Sequence, residues 1–316
     1  MIKRMCWMAF MGASLVWLGL VQAGDDPAVK KAAGPDGAEG KPVADAIELM
    51  AQRYYNLLEN PLHSEVTVNG NQVDIFSGDT HKSIVKYLHE GWNAIEVITT
   101  PQQPASKDNF LTFHIGPMEN SGKREVLTMR PVLWKFRNQG GWKFRDGKYS
   151  YLPNPEAKDS SRAYQVYYAG LGHEQRSLHN GDYVVVAKPE IPARDSPVTV
   201  TLFINGTPLN TFLGEDRQVV VTPLLREGKN EIRIVSVRVK NSVDNNDMRI
   251  EVGGPADYSP RQQKYLYHRI LQISGTEGWH RHDKTGQLVS QKDPEADRVE
   301  RTVSFVLDKA PKAAEQ

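Results

Sequence analysis

Residues Phe203–Ser236 read FINGTPLNTFLGEDRQVVVTPLLREGKNEIRIVS, and the chain has spelled nearly the same thing once before. Residues Val68–Thr99 read VNGNQVDIFSGDTHKSIVKYLHEGWNAIEVIT. Asn69-Gly70 answers to Asn205-Gly206, Phe76 to Phe212 and Gly78 to Gly214. Leu88, Gly91, Asn93, Ile95 and Val97 then answer to Leu225, Gly228, Asn230, Ile232 and Ile234. The offset is 136 at Gly70 and 137 at Gly91, so the second copy carries one inserted residue between them. A repeat at this spacing means one structural unit made twice. Fainter matches extend it: Ile115-Gly116-Pro117 to Gly253-Gly254-Pro255, Gly141-Trp142 to Gly278-Trp279, Asp146 to Asp283, Pro155-Glu156 to Pro294-Glu295 and Arg162 to Arg301. The repeat is then about 110 residues long, the size of one β-sandwich domain.

Within each repeat the apolar period is two. Glu65–Val68 reads as a strand running into a tight turn at Asn69-Gly70. Ser83–Leu88 and Asn93–Val97 are further strands, with Gly91 between them where a positive φ is useful. Short strands, Gly/Asn/Pro turns and no βαβ alternation predict antiparallel sheets stacked as a sandwich.

The pattern strand, Asn-Gly, hydrophobic residue, turn, strand, L-x-x-G-x-N-x-I-x-V resembles bacterial immunoglobulin-like modules of the glucodextranase-associated type. The resemblance covers about 35 residues in each repeat and implies extracytoplasmic β-sandwiches, often in tandem, that act as spacers, accessory modules or protein-binding modules. The Cys…Trp…Cys pattern of antibody domains is absent, because Cys6 is the only cysteine. The expected fold is therefore all-β, with tandem immunoglobulin-like sandwiches at 61–172 and 173–308 and a tail at 309–316. Tyr183–Ala187, after the turn residues Asn180-Gly181-Asp182, is the expected opening strand of the second domain.

Residues 1–23 read as a signal peptide. Lys3 and Arg4 precede the apolar run Met5–Val21, and Val21-Gln22-Ala23 places suitable residues for cleavage after Ala23. The alternative is a retained anchor, since the run approaches the roughly 18 residues that span a bilayer. Residues 24–43 are rich in Gly, Pro, Ala and charge and read as a flexible linker. Residues 44–60 are expected to form an amphipathic helix over Asp45–Glu59. Asp45 and Glu48 have capping-box spacing, Ile47, Met50, Ala51, Tyr54 and Leu58 share one face, and Asn60-Pro61 is a stop. The helix would pack on the first sandwich or dock a partner chain.

The formal net charge of +1 favours neither nucleic acid nor an anionic surface. No nucleophile elbow, zinc-protease helix, phosphate loop or dinucleotide fingerprint is present, and no catalytic residue, metal or cofactor is assigned. His280 and His282 sit two apart, as strand-borne metal ligands do. The first repeat has Lys143 and Arg145 there, which reads as a solvated basic face. Aromatics crowd the first repeat. Trp134, Phe136, Tyr164 and Tyr168 answer to Leu271, Ile273, Val303 and Leu307 and are expected in the core. Lys135 and Arg137, alternating with Trp134 and Phe136, read as a soluble outer face. Trp142, Tyr149, Tyr151 and Tyr167 remain as candidate binding residues, the middle two presented by a loop at Asp146–Pro155.

These readings point to a non-catalytic structural or binding protein of a bacterial envelope or secreted assembly, periplasmic or secreted, with an envelope protein as partner. One alternative is a carbohydrate-binding accessory protein using the first repeat's aromatics. That reading needs Trp142, Tyr149 and Tyr151 coplanar on an open face. A second is a hydrolase with a cleft at the domain junction.

Overall fold

The Asn-Gly turns and the Gly-x-Asn segments that define the repeat are held together by one side-chain clamp. Asn69 and Asn205 take left-handed φ of 51° and 49°, followed by Gly70 at 76° and Gly206 at 89°, the geometry of a tight hairpin turn. The Asn69 amide donates to Asn93 Oδ1 at 2.8 Å, and Asn205 donates to Asn230 Oδ1 at 2.8 Å. Asn93 donates to His89 O and Gly91 O, and Asn230 donates to Arg226 O and Gly228 O. The motif is conformational: each asparagine satisfies backbone groups that no ladder reaches.

The computed structural model describes residues 43, 45–53, 60–102, 110–120, 127–152, 161–191 and 194–311. The first repeat comprises β1 (Ile47–Arg53), β2 (Leu62–Val68), β3 (Asn71–Phe76), β4 (Thr80–Ser83), β5 (Gly91–Pro101), β6 (Leu111–Asn120), β7 (Leu127–Met129), β8 (Trp134–Arg137), β9 (Trp142–Arg145), β10 (Lys148–Tyr151) and β11 (Ser161–Tyr168). The second comprises β12 (Val184–Pro189), β13 (Val198–Ile204), β14 (Thr207–Pro208), β15 (Arg217–Val220), β16 (Gly228–Arg238), β17 (Met248–Ser259), β18 (Lys264–Ser274), β19 (Trp279–Arg281), β20 (Leu288–Ser290) and β21 (Arg298–Leu307). The described chain is all-β and its strand pairs are antiparallel. Sheet orders β4-β1-β6-β8 and β11-β5-β2-β3 recur as β15-β12-β17-β18 and β21-β16-β13-β14. The registers repeat as well: Val66 faces Val97 as Leu202 faces Ile234.

Two buried clusters fill the repeats. The first draws Leu49, Val66, Ile95, Phe113, Phe136 and Tyr164 from both of its sheets. Its rings form a chain, Phe76–Phe113 at 5.3 Å, Phe113–Phe136 at 5.2 Å and Phe136–Tyr164 at 5.0 Å. The second fills the same positions with Phe212, Ile250, Ile273 and Val303. The aromatics expected in the core are there: Trp134, Phe136 and Tyr164 are fully buried.

Three sequence expectations are corrected. The helix expected over 44–60 is the strand β1 across Ile47–Arg53, and residues 54–59 lie outside the described residues. Ile47, Leu49 and Ala51 point inward, alternating with Glu48, Met50 and Gln52, while β1 pairs with β4 and β6. Tertiary pairing overrides local helix propensity here, because a strand buries three apolar side chains and fills two ladders. The first repeat thus begins ahead of residue 61, and Val43, assigned to the linker, is buried against its core. Second, Gly116 pairs with Glu48 and Gly253 with Val184, so Ile115 answers to Val252 rather than Gly253, and the mismatch at the prolines falls in a bulge of β17 between Gly253 and Ala256, separate from the insertion ahead of Gly228. Third, the loop expected from Asp146 is a hairpin through Tyr151, turning at Asp146 (φ 51°) and Gly147 (φ 74°); residues 153–155 lie outside the described residues.

Candidate functional site

Strands β9 and β10 pair Trp142 with Tyr151 and Phe144 with Tyr149, which sets four aromatic side chains on one face of the hairpin. Lys143, Arg145, Lys148 and Ser150 occupy the other. Trp142 meets Tyr151 edge to face at 5.5 Å and 65°, and Phe144 meets Tyr149 at 5.2 Å and 69°. Trp142 Nε1 donates to Thr99 O at 2.9 Å, anchoring the hairpin on β5. Tyr151 is 2% exposed, while Trp142, Phe144 and Tyr149 are half-buried. The rings are interlocked rather than coplanar, so the platform that sugar stacking requires is not formed by Trp142, Tyr149 and Tyr151. Tyr167 is elsewhere, edge to face with Trp92 at 5.4 Å and with Phe203 of the second repeat at 5.5 Å.

The corresponding hairpin of the second repeat, β19–β20, buries Trp279 and leaves His280 and His282 exposed. Among the described residues no group of three His, Cys, Asp or Glu side chains can hold a metal ion. An open cavity of about 320 Å³ lies beside this hairpin, lined by Glu190, Asn246, Asp247, Thr276, Trp279 and Arg281 among others. Three of its polar side chains are committed to the backbone. Asn246 binds Ile191 and Arg194, Asp247 accepts from Thr276 N at 3.0 Å, and Arg281 donates to Gly286 O at 2.6 Å.

The densest chemistry lies where the repeats meet. Strand β11 lies edge-on against the outer face of β13 and β16. Tyr167 N donates to Thr211 Oγ1, Thr211 N donates to Tyr167 O, Thr199 Oγ1 donates to Gln165 O, and Lys240 N donates to Ala163 O. Trp92, Tyr167, Phe203, Val235 and Val237 form an apolar cluster across this contact. The edge of β8 is taken up too: Leu213 bridges Trp134 in parallel, Lys135 N donates to Leu213 O at 3.1 Å, and Lys135 Nζ pairs with Glu215 at 2.7 Å. Lys135 was expected on a soluble outer face; it faces the second repeat instead.

Two buried arginines span the junction. Arg162 binds Asp195 at 2.7 Å and Asp244 at 2.8 Å. Burial alone would lower its pKa, but Asp244, Tyr164 and Asp195 together raise it above the ordinary arginine value. Burial pushes the Asp195 carboxyl up against the pull of Arg162. Arg217 donates to Leu133 O at 2.8 Å and to Asn210 O at 2.6 Å, and lies 3.5 Å from Glu174. Burial lowers its pKa, and Glu174 opposes that. In a low-dielectric setting these contacts satisfy buried charge and fix geometry. The titratable groups here are held in place by one another rather than aimed into a cleft.

Sequence reading missed this junction, though a signal existed. Phe203 and Val237 put apolar side chains on the outward face of their strands where the first repeat has Thr67 and Thr100, as a strand covered on both sides would. Comparison with family models, with characterised proteins and with solved structures finds no match for this chain.

Proposed function

We propose that this chain is a non-catalytic, exported structural or binding protein of a bacterial envelope, built from tandem immunoglobulin-like sandwiches. Among the described residues the four antiparallel sheets of four or more strands also equal the blade count of a small propeller. A propeller blade, however, takes consecutive strands, whereas here the chain passes β1 to one sheet, β2 and β3 to the other, β4 back and β5 across again. The observation that carries the functional reading is the packed junction: Arg162 and Arg217 tie the two repeats together, and among the described residues the outer edges of β18 and β21 pair with no further strand. Such edges and end loops make protein contacts by strand addition or loop presentation. The basic, apolar N-terminus at 1–23 supports export.

A pull-down from envelope extract tests this. A defined protein retained in fixed proportion, and lost when the β9–β10 hairpin or the β18 edge is charged, is the expected result. Retention on polysaccharide that disappears with Phe144→Ala and Tyr149→Ala would replace it with the carbohydrate-binding alternative. Turnover of an envelope substrate would overturn both.

A further inference from the structure

Among the described residues, five large hydrophobic side chains stand exposed: Ile75 (55%), Ile98 (36%), Tyr258 (43%), Leu266 (42%) and Val306 (67%). The repeat's own register shows where three of them lie. Val306 pairs with Lys229 as Tyr167 pairs with Trp92, so Val306 holds the place of the tyrosine that seats the first repeat on the second. Ile98 holds the place of Val235, and Ile75 that of Thr211, both fully buried in the internal junction. The first repeat therefore carries, uncovered, Ile98 and Ile75 at places on the face that receives Tyr167, with Thr67 and Thr100 standing for Phe203 and Val237 and Glu65 paired between the two isoleucines. The second repeat carries, uncovered, the edge that the first repeat uses to supply it.

The second contact line agrees. In the first repeat the β8 edge is covered by Leu213-Gly214-Glu215. Its counterpart, the Leu271–Ser274 part of β18, pairs with β17, and among the described residues no strand pairs with its other edge. The counterpart of Leu213-Gly214-Glu215 is Ser77-Gly78-Asp79, which keeps the glycine and the acid. At Gly214 an added Cβ would meet Lys135 O at 2.1 Å, so the close approach requires glycine; at Gly78 there is open space. Lys229 replaces Trp92 on one face and Glu96 replaces Arg233 on the other, giving opposite charges to the two surfaces.

We infer that copies of this chain join head to tail, the Ile75–Ile98 face of one molecule's first repeat receiving the Val306 edge and β18 of another molecule's second repeat, in the register of the internal junction. The inference rests on the reading of the chain as a non-catalytic contact-making protein and names its partner as a second copy. A contact of this kind is heterologous, so it propagates into a ring or an open filament. Arg217 and Asn210 are replaced by Thr80 and Asp74 at the outer face, so the external contact is weaker than the internal one and reversible.

Sedimentation of the full chain from about 1 to 200 µM tests it. The expected mass rises with concentration past that of a dimer. Val306→Lys, Ile98→Lys and Gly78→Val, each with an unchanged melt, are each expected to weaken association at least about tenfold. An equimolar mixture of Val306→Lys and Ile98→Lys restores one good face of each kind and should give a 1:1 dimer that grows no further. A monomeric wild type at every concentration, association indifferent to all three variants, or a mixture that stays monomeric would each overturn the inference. Association driven by residues 1–23 belongs to the second of these. A monomer that still retains a different envelope protein would sink self-assembly and leave the functional reading standing.

Discussion

Replacing Asn230 by alanine removes the centre of the second repeat's clamp. The side chain is fully buried. Its Oδ1 accepts from Asn205 Nδ2 at 2.8 Å and from Arg226 N at 2.9 Å, and its amide donates to Arg226 O at 2.7 Å and Gly228 O at 3.1 Å. Each such bond contributes about 1 kcal/mol net, and each buried group left unpaired costs about 1–3 kcal/mol. Arg226 lies at the surface, so water re-pairs part of the loss, whereas the Asn205 amide keeps only Leu224 O. The expected cost is about 3 kcal/mol, or about 6–12 °C in Tm for a folded body of this size. Urea unfolding followed by tryptophan fluorescence measures it, with Asn93→Ala as the matched variant in the first repeat. Asn93 makes the same four contacts and is 1% exposed. Both variants should shift a single shared transition, because the junction couples the repeats. A loss under about 1 kcal/mol in either would refute the clamp as a stabilising device, and two separate transitions would refute the coupling.

Burial, helped by Lys135, lowers His114 from its usual value to about 4, so the folded state requires a neutral ring. That stability is complete above about pH 6.5 and is lost as pH falls toward 4, by about 2 kcal/mol after allowing for partial solvent access; the drop in urea midpoint from pH 7 to pH 4 should be smaller in His114→Gln, and parallel profiles would count against the assignment. Gly214→Ala places a Cβ against Lys135 O and strains a φ of +71°, so it should cost about 2 kcal/mol or more, while Gly78→Ala should be near neutral to stability in chemical denaturation; equal effects would mean the β8 contact is not tight.

The first β-strand shows how far a sequence can be read. Ile47, Leu49 and Ala51 alternate, yet Ile47, Met50, Ala51 and Tyr54 also recur at helical spacing, and a short apolar segment satisfies both periods. What decides is the pair of ladders offered by β4 and β6, which are distant in sequence. The hairpin at Asp146-Gly147 was legible in principle, since Asp-Gly between alternating aromatics is a strong turn signal. Tyr167 was singled out as a binding residue, and it does make a contact, with Phe203 of its own chain. Tyr167 and Trp92, which lie at the contact between the repeats, are matched in the second repeat by Val306 and Lys229.

By itself the sequence determined the duplication, the all-β class, the Asn-Gly turns and most core positions. These depend on local φ preferences and on a period of two, both written in neighbouring residues. Only the tertiary structure decided that β1 is a strand, that Lys135 and Tyr167 face the second repeat, and that Arg162 and Arg217 are buried between the repeats. Those outcomes depend on which surface meets which across more than a hundred residues of chain. An outward-facing side chain reads the same in sequence whether water or another sheet covers it.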